Sequence, residues 1–235
     1  WSYSTTQFIT GEMEIYKLPD FTNYDGVIIH GDTLYNAETI ANIVQKVHDA
    51  GVPCVNLTLE VEGIANLSME NDNGITLLIN HLVEKHGAKT INFISGPEGN
   101  FDGEGRLNAY KKALEEHGME IEDHRIYFGD YHPKSGMEAV EFFADSGLDM
   151  PDAIMAANDE MALGALYELE RRGYRIPEDI MITGYDNIYE AQNHAPRITS
   201  VQRPEKELGR KAYTYLMDEI AGKPKIGSEQ LLSWP

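Results

Sequence analysis

The feature that most constrains the fold is a repeated alternation of short apolar runs with longer amphipathic stretches. Five such runs lie along the chain, at 26–30 (GVIIH), 53–57 (PCVNL), 90–95 (TINFIS), 153–157 (AIMAA) and 180–184 (IMITG). Continuous apolar runs of this length are typical of parallel strands that are covered on both faces. The runs therefore predict at least five buried strands.

Helical patterns separate these runs, at 36–50, 71–86, 103–118, 135–147, 158–173 and 204–221. In the second of them, apolar residues recur near helical spacing at Ile75, Leu78, Ile79 and Leu82. Several of the patterns stop at a glycine that suits a left-handed C-terminal cap. Strands alternating with helices predict an α/β fold with right-handed crossovers and a doubly wound parallel sheet. No Pro/Gly-rich linker is present, so any division into lobes must be made by strands that cross.

The charge balance narrows the range of partners. The chain carries 39 acidic and 19 basic side chains, a net charge of −20, and has no Lys/Arg run. Such a surface repels phosphate backbones and anionic lipids, and no apolar stretch approaches the roughly 18–20 residues of a membrane span. We expect no membrane contact and no direct nucleic-acid binding by this segment. The only cysteine, Cys54, allows no internal disulfide and is expected to be a buried structural thiol.

The common enzyme motifs are absent from the sequence. No GxxxxGK[ST], HExxH, GxSxG or CxxC pattern occurs, and the glycine-rich stretch 96–106 matches neither phosphate-binding loop. The eight histidines show no metal-ligand spacing, and His81 and His86, five residues apart, are not expected to share a helix face. We therefore predict no enzyme, no catalytic residue, no cofactor and no metal site.

Several segments, in order and covering nearly the whole chain, carry a family resemblance. They include AGVPCVNL, NFDGEGRLNAYKKAL, AANDEMALGAL, IPEDIMITGYDN and ITSVQRPEKELG. Together they resemble the effector-binding domain of the lactose-repressor/galactose-repressor family of transcriptional regulators, a type I periplasmic-binding-protein-like domain. The resemblance implies two Rossmann-like lobes with parallel sheets, joined by three crossings, with a ligand between them. The family's first strand and helix would precede Trp1, as would its DNA-reading helix-turn-helix, and neither is present in this sequence.

The resemblance also implies domain bounds and a function. The N-terminal lobe would hold 1–69 plus 201–228, and the C-terminal lobe 70–200 plus 229–235. The expected protein is a cytoplasmic homodimer that senses a sugar or related small polar molecule, including nucleoside-like ones, by lobe closure. DNA would be bound by a separate domain.

Three residues are the principal ligand-binding candidates. Arg106 matches the family's ligand-clamping arginine and Asp186 its acceptor carboxylate; the arginine fork can donate two parallel hydrogen bonds, and an ionised Asp can accept two hydroxyl protons. Asn158 could bond one hydroxyl through its oxygen and another through its NH₂. Alternatively, Arg106 is a surface arginine in a capping pair, Asp186 a turn or N-cap residue, and Asn158 an N-cap.

Further candidates rest on position alone. Tyr131 stands where the family often places an aromatic that stacks on a pyranose or a base, with Asn100 and Phe101 as companions. Gln202, at a predicted crossing, either contacts ligand or serves the hinge. The first lobe offers His30 and Asp32 after the first apolar run, and Thr58 and Glu60 after the second. The family often has Asp where Thr58 stands, so the identity of the ligand stays open.

Three other functions compete with the regulator. The opening FITGEMEIYKLPDF is unusual for a plain repressor and is similar to sensory domains fused to diguanylate cyclases or kinases. An extracytoplasmic solute-binding protein of a sugar transporter would share the fold. An enzyme built on the same sheet is the third alternative.

Overall fold

The computed structural model describes residues 19–30, 37–57, 61–224 and 228–231. The chain divides into two compact units. The first comprises Trp1–Met69 and Pro204–Leu231, and the second comprises Glu70–Arg203 and Leu232–Pro235. Among the candidate ligand residues, Asp32, Thr58 and Glu60 lie outside the described ranges.

Nine strands occur in the described ranges: β1 (Val27–His30), β2 (Cys54–Leu57), β3 (Ala65–Met69), β4 (Ile91–Ser95), β5 (Ile126–Phe128), β6 (Ala153–Ala156), β7 (Met181–Asp186), β8 (Thr199–Gln202) and β9 (Ser228–Leu231). The helices there are α1 (Ala37–Asp49), α2 (Asp72–Asn80), α3 (Phe101–Glu116), α4 (Pro133–Asp145), α5 (Asp159–Arg171), α6 (Tyr189–Asn193) and α7 (Glu205–Ile220). None of these helices is both long and apolar enough to cross a membrane.

The sheet of the first unit is parallel throughout, in the order β1-β2-β3-β9. Every residue of β2 is buried, as its apolar run predicted, and Cys54 is one of them. Helix α7 covers this sheet with Leu208, Ala212 and Leu216, which recur every four residues and so lie on one helix face. The two elements enclose a small apolar core.

The sheet of the second unit is also parallel, in the order β5-β4-β6-β7-β8. Strands β4 and β6 are buried at every residue. The backbones of helices α4 and α5 approach each other closely. A Cβ on Gly164 would lie 1.9 Å from the Pro133 carbonyl oxygen, and one on Gly136 would lie 2.1 Å from the Met161 carbonyl oxygen, so neither position has room for a side chain. Two glycines thus fix how closely these helices pack.

The predicted α/β fold with parallel sheets in two groups is confirmed. All five apolar runs form strands, and all six helical patterns contain helices. The sequence reading missed β3, β5, β8, β9 and α6. In β3 the polar residue Asn66 interrupts the apolar pattern. Its amide is nevertheless buried, and hydrogen bonds of 2.8 and 2.9 Å to the backbone of Val61 compensate for its loss of water.

The expectation that His81 and His86 lie on different helix faces is wrong. Helix α2 continues as one π-helical stretch, His81–Lys85. Residues five apart are separated by about 140° around an α-helix, whereas a π-helix closes its hydrogen bonds from i to i+5. The two imidazoles consequently meet, with their Nε2 atoms 3.1 Å apart.

Candidate ligand-binding site at the carboxyl edge of the second sheet

Four strands of the second unit end at one edge of its sheet, and predicted site residues follow each of them. Asn100 comes after β4 and Asn158 after β6, while β7 ends at Asp186 and β8 at Gln202. The last two are direct register partners. Because the strands are parallel, their carboxyl ends share an edge, which is where open α/β sheets bind ligands. The chain thus gathers polar side chains from four distant segments.

Arg106 is fixed at this edge by three kinds of contact. Helix α3 begins at Phe101, two residues earlier than predicted, and Arg106 lies in its second turn. Its Nε donates to Asn71 Oδ1 at 3.1 Å, and its Nη1 donates to the Ala157 carbonyl at 2.6 Å. Its Cζ lies 4.0 Å from the centre of the Tyr185 ring, a cation–π contact. With 2% exposure, Arg106 is not a surface arginine.

Arg106 begins a chain of four alternating charges. Its Nη2 lies 3.5 Å from Asp102 Oδ2, Arg203 Nη2 lies 3.6 Å from the same oxygen, and Arg203 Nη1 lies 3.5 Å from Asp186 Oδ1. We call Arg106, Asp102, Arg203 and Asp186 the charge cluster. Well-formed charged hydrogen bonds are about 2.7–2.9 Å long. The pairs of the charge cluster are therefore loose, and their formal charges cancel.

The charge cluster is largely desolvated. Burial lowers the pKa of the Arg106 guanidinium, but the negative charges of Asp186 and Asp102 outweigh burial and raise that pKa above its usual value. Arg203 is 14% exposed and Asp186 21% exposed. Within the described ranges, the buried Nε of Arg203 has no hydrogen-bond acceptor. One donor of the cluster is thus left unused.

Asp186 itself sits in a strained turn. Its φ is 105° and that of Asn187 is 54°, both in the region that side-chain-bearing residues rarely adopt. Such conformations cost on the order of 1–3 kcal/mol each and concentrate at functional sites. Ile188, not Asp186, is the N-cap residue of α6. The N-cap alternative for Asp186 is therefore wrong.

Asp159 holds this turn in place through two hydrogen bonds. Its Oδ1 accepts from Ser200 Oγ at 2.6 Å and its Oδ2 from the backbone N–H of Ile188 at 2.8 Å. A Cβ on Gly184 would lie 2.1 Å from Asp159 Oδ1, so glycine makes room for the carboxyl group. Burial raises the pKa of Asp159 to about 6, with hydrogen bonds opposing and the charge of Asp186 adding to the rise. Asp159 therefore positions the strained turn and ionises with difficulty.

Asn158 acts as an N-cap, as its alternative interpretation holds. Its Oδ1 accepts from the Met161 N–H at 2.9 Å, and its Nδ2 donates to the Tyr131 carbonyl at 2.9 Å. An amide has two lone pairs and two N–H groups. Each side of this amide makes one of these bonds, which holds Asn158 at the edge while leaving bonding capacity.

Tyr131 links the caps of α3 and α5. Its φ of 68° is left-handed, and its hydroxyl donates to Asn100 Oδ1 at 2.8 Å. The same Asn100 oxygen caps α3 by accepting from the Gly103 N–H at 2.8 Å. A Cβ on Gly96 would lie 2.2 Å from the tyrosine hydroxyl, so glycine is needed there. The structure thus connects Tyr131, Asn100 and Asn158.

The remaining candidate ligand residues are Phe101, Gln202 and His30, of which Gln202 contacts the turn that carries Asp186. Phe101, the first residue of α3, is 49% exposed. Gln202 is exposed, and its Oε1 accepts from Asn187 Nδ2 at 2.9 Å, so it contacts the turn that carries Asp186. His30 is exposed at the end of β1 in the first unit.

Sequence reasoning missed several residues that contribute to the site: Asn71, Asp102, Asp159, Tyr185 and Arg203. The pairing of Asp102 with Arg106 could have been found, because a spacing of four places both on one helix face. Nothing in the sequence pattern joins Arg203 to residues about a hundred positions earlier. That contact depends on how the strands are ordered in the sheet.

Comparison with known proteins identifies the family. A family model described as a periplasmic binding protein-like domain matches residues 79–234. The transcriptional regulator CelR of Thermobifida fusca is 34% identical over 183 residues, which cover 76% of this chain and 53% of CelR. The transcriptional repressor PurR of Salmonella arizonae is 36% identical over 143 residues, 61% of this chain and 41% of PurR. The chain spans about half the length of these curated relatives.

Structural similarity agrees with the sequence matches. The solved complex of the transcriptional regulator CelR with cellobiose superimposes with a TM-score of 0.84 at 29% identity, covering 96% of this chain and 68% of that one. The resemblance found in the sequence segments is confirmed. The chain belongs to the periplasmic binding protein-like domain family and, within it, to the effector-binding domains of lactose-repressor/galactose-repressor regulators.

Proposed function

We propose that this chain is the ligand-sensing domain of a LacI-type transcriptional regulator and that it binds an uncharged sugar or a related polar molecule at the charge cluster. The observation that carries the proposal is the loose pairing of Arg106, Asp102, Arg203 and Asp186, at 3.5–3.6 Å. Loosely paired, desolvated charges can exchange partners at low cost, so a ligand hydroxyl can insert where two side chains bond poorly.

The chemistry of the charge cluster suits hydroxyl groups. A hydroxyl donates one hydrogen bond and accepts two, and the charge cluster offers guanidinium donors beside carboxylate acceptors. Its formal charges cancel, so an anionic or cationic ligand would bring one uncompensated charge into a desolvated site, which is costly. Tyr131 and Phe101 add aromatic surface for the apolar face of a sugar ring. The CelR neighbour, solved with cellobiose, supports a sugar in this fold.

The expected mechanism is a population shift. A ligand that bonds better to one conformation than to another moves the balance between them by its difference in affinity. Closure of the two lobes on the ligand, homodimer formation and a cytoplasmic location follow from the family and stay predictions. The bacterial transcriptional regulators among the relatives support the cytoplasmic location.

The alternative functions gain no support from the relatives. CelR and PurR are named as transcriptional regulators, not as sensors of signalling enzymes, transport proteins or enzymes. We therefore do not carry a second function forward.

Isothermal titration with matched ligand pairs tests the proposal. Neutral mono- and disaccharides, including cellobiose, and nucleosides are titrated into the folded chain beside their phosphorylated counterparts. We expect heat from at least one neutral compound and weaker binding of its phosphate ester. Folded protein that gives no heat with any compound, or that prefers the phosphate ester, contradicts the proposal.

A further inference from the structure

Two exposed histidines outside the charge cluster, His81 and His86, face each other. His81 Nε2 lies 3.1 Å from His86 Nε2, the ring centres are 4.7 Å apart, and the ring planes meet at 74°. Both side chains are open to solvent. The two ring nitrogens are therefore close together at a solvent-accessible position.

The backbone holds this pair in place. His81 is the first residue of the π-helical stretch, and His86 is the C-cap residue that follows it. Leu82, between them in sequence, is buried in the core of the second unit, and the N–H of Ala88 donates to its carbonyl at 3.0 Å. Single π-helical turns inside α-helices are uncommon and are frequent at functional sites. The imidazoles thus stand on an anchored backbone and not on a loose loop.

The spacing of the nitrogens fits a chelated ion. Metal–nitrogen bonds from histidine are about 2.0–2.1 Å long, so two nitrogens 3.1 Å apart subtend an angle of about 98° at a shared ion. That angle lies between the 90° of square or octahedral coordination and the 109° of a tetrahedron. We propose that His81 and His86 form a binding site for a divalent transition-metal ion of the zinc, nickel and copper class, which imidazole ligands suit.

Binding requires a change of tautomer in the neutral pair and a rotation of the rings that turns both Nε2 lone pairs from each other toward one ion. Without metal, one Nε2–H donates to the other Nε2. An ion needs both Nε2 lone pairs, so the donor ring moves its proton to Nδ1 and no net proton is released. In the described ranges, no group of three or more His, Cys, Asp or Glu residues could hold a metal. Water completes the coordination, and the affinity is lower than that of a closed structural zinc site.

Nickel chloride titrated into the whole 235-residue chain tests the site. We expect wild-type protein to bind Ni²⁺ reversibly, with release by EDTA, and both His81→Ala and His86→Ala to bind at least about tenfold more weakly, since each leaves one ligand. His48→Ala removes a single exposed helical histidine, and His124→Ala removes one beside Glu122. Both controls should bind within about twofold of wild type.

A fourth variant separates metal binding from structure. His81→Gln can still hydrogen-bond to His86 but lacks the imidazole ligand, so we expect a wild-type melting temperature without metal and the same loss of Ni²⁺ affinity as His81→Ala. The proposal is overturned if His81→Ala and His86→Ala bind Ni²⁺ as tightly as wild type. It is equally overturned if His124→Ala alone loses binding.

Discussion

The two units bury different kinds of polar side chain. In the described part of the chain, the buried polar side chains of the first unit are the amides of Asn56 and Asn66, whereas the second unit buries the ionisable groups of Asp102, Arg106 and Asp159, among others. Asn66 makes bonds of 2.8–3.1 Å to Asn56 and to nearby backbone. The ion pairs within the charge cluster are longer, at 3.5–3.6 Å. Short bonds fix local backbone, and loose pairs leave bonding capacity for a ligand.

Charge alone does not mark the difference. Glu168, on α5 of the second unit, is also buried, but its oxygens accept from Arg171 and Arg172 at 2.6–2.7 Å. This ion pair resembles the amide pair of the first unit in its tight geometry. Glu168 thus differs from the charge cluster in the tightness of its ion pairs, although other bonds at the candidate site, such as that from Arg106 Nη1 to the Ala157 carbonyl at 2.6 Å, are short.

The largest expected effect follows from removing Arg106. Arg106→Met leaves two carboxylates, Asp102 and Asp186, to share Arg203 in a desolvated site, and deleting one partner of a buried pair costs about 3–5 kcal/mol. Urea unfolding should show that loss in the free energy of unfolding. Arg210→Met, at an exposed position of α7, should stay within about 0.5 kcal/mol of wild type. Equal stability of the two variants would refute the central place of Arg106.

A pH effect of opposite sign separates Asp159 from Glu168. The pKa of Asp159 is raised to about 6, mainly by burial. The folded state therefore binds its proton more tightly than the unfolded state, and stability is lost as pH rises from about 4 through 6, on the order of 2 kcal/mol. Asp159→Asn cannot ionise, so its unfolding free energy should vary less across this range in urea titrations.

Glu168 provides the contrast in the same measurement. Hydrogen bonds from Arg171, opposed by burial and aided by Arg172, lower the pKa of Glu168 to about 2. Its stabilising contribution is therefore present above about pH 4.5 and is lost as pH falls toward 2. In Glu168→Gln, the free energy of unfolding should vary less with pH below about 4.5, and its pH dependence between pH 5 and 7 should match that of wild type. If Asp159→Asn and Glu168→Gln show the same dependence of unfolding free energy on pH, the opposite pKa shifts of the two groups are contradicted.

The amide pair of the first unit should matter for stability alone. Asn66→Ala leaves the buried amide of Asn56 and the backbone of Val61 without this partner, at a cost of about 1–3 kcal/mol. Urea unfolding measures that cost, and titration of the folded variant should give wild-type ligand affinity. A change in affinity at constant fold would break the comparison between the units.

Tyr131→Phe is the smallest change that we expect to detect. It removes the 2.8 Å bond from the hydroxyl to Asn100 Oδ1 but keeps the ring. A buried hydrogen bond contributes about 1 kcal/mol net, so thermal unfolding should show a loss near that value. Tyr213→Phe, on an exposed position of α7, should leave stability unchanged.

Much of the fold could be predicted from the sequence because burial dominates it. The apolar run 90–95 forms a fully buried strand, whereas the run 26–30 forms the edge strand β1, in which Ile28 is 44% exposed. The glycines that end helices, such as Gly118 and Gly173, have φ of 66° and 90°. The sequence analysis missed strand β3 because the buried amide of Asn66 is satisfied by hydrogen bonds to nearby backbone, and a hydrophobic pattern contains no sign of such bonds. Hydrophobic periodicity finds cores and misses satisfied polar groups.

The site could be predicted only in part. Arg106, Asn158 and Asp186 follow from the family resemblance, and all three lie at the carboxyl edge of one sheet. Arg203 could not be found, because its contact with Asp102 arises from strand order rather than from sequence spacing. The approach of His81 to His86 could not be predicted either, because it depends on a π-helical turn, whereas the sequence pattern was interpreted with the period of an α-helix.

The most direct test of the charge cluster is the affinity of Asp186→Asn for the tightest neutral ligand found by titration. Hydrogen bonds to charged groups contribute about 1.5–3 kcal/mol, so we expect the dissociation constant of the folded variant to rise about 10- to 100-fold. Asp149→Asn, an exposed carboxylate of the same unit, is the matched control. Equal affinity of Asp186→Asn and Asp149→Asn would contradict ligand binding at the charge cluster.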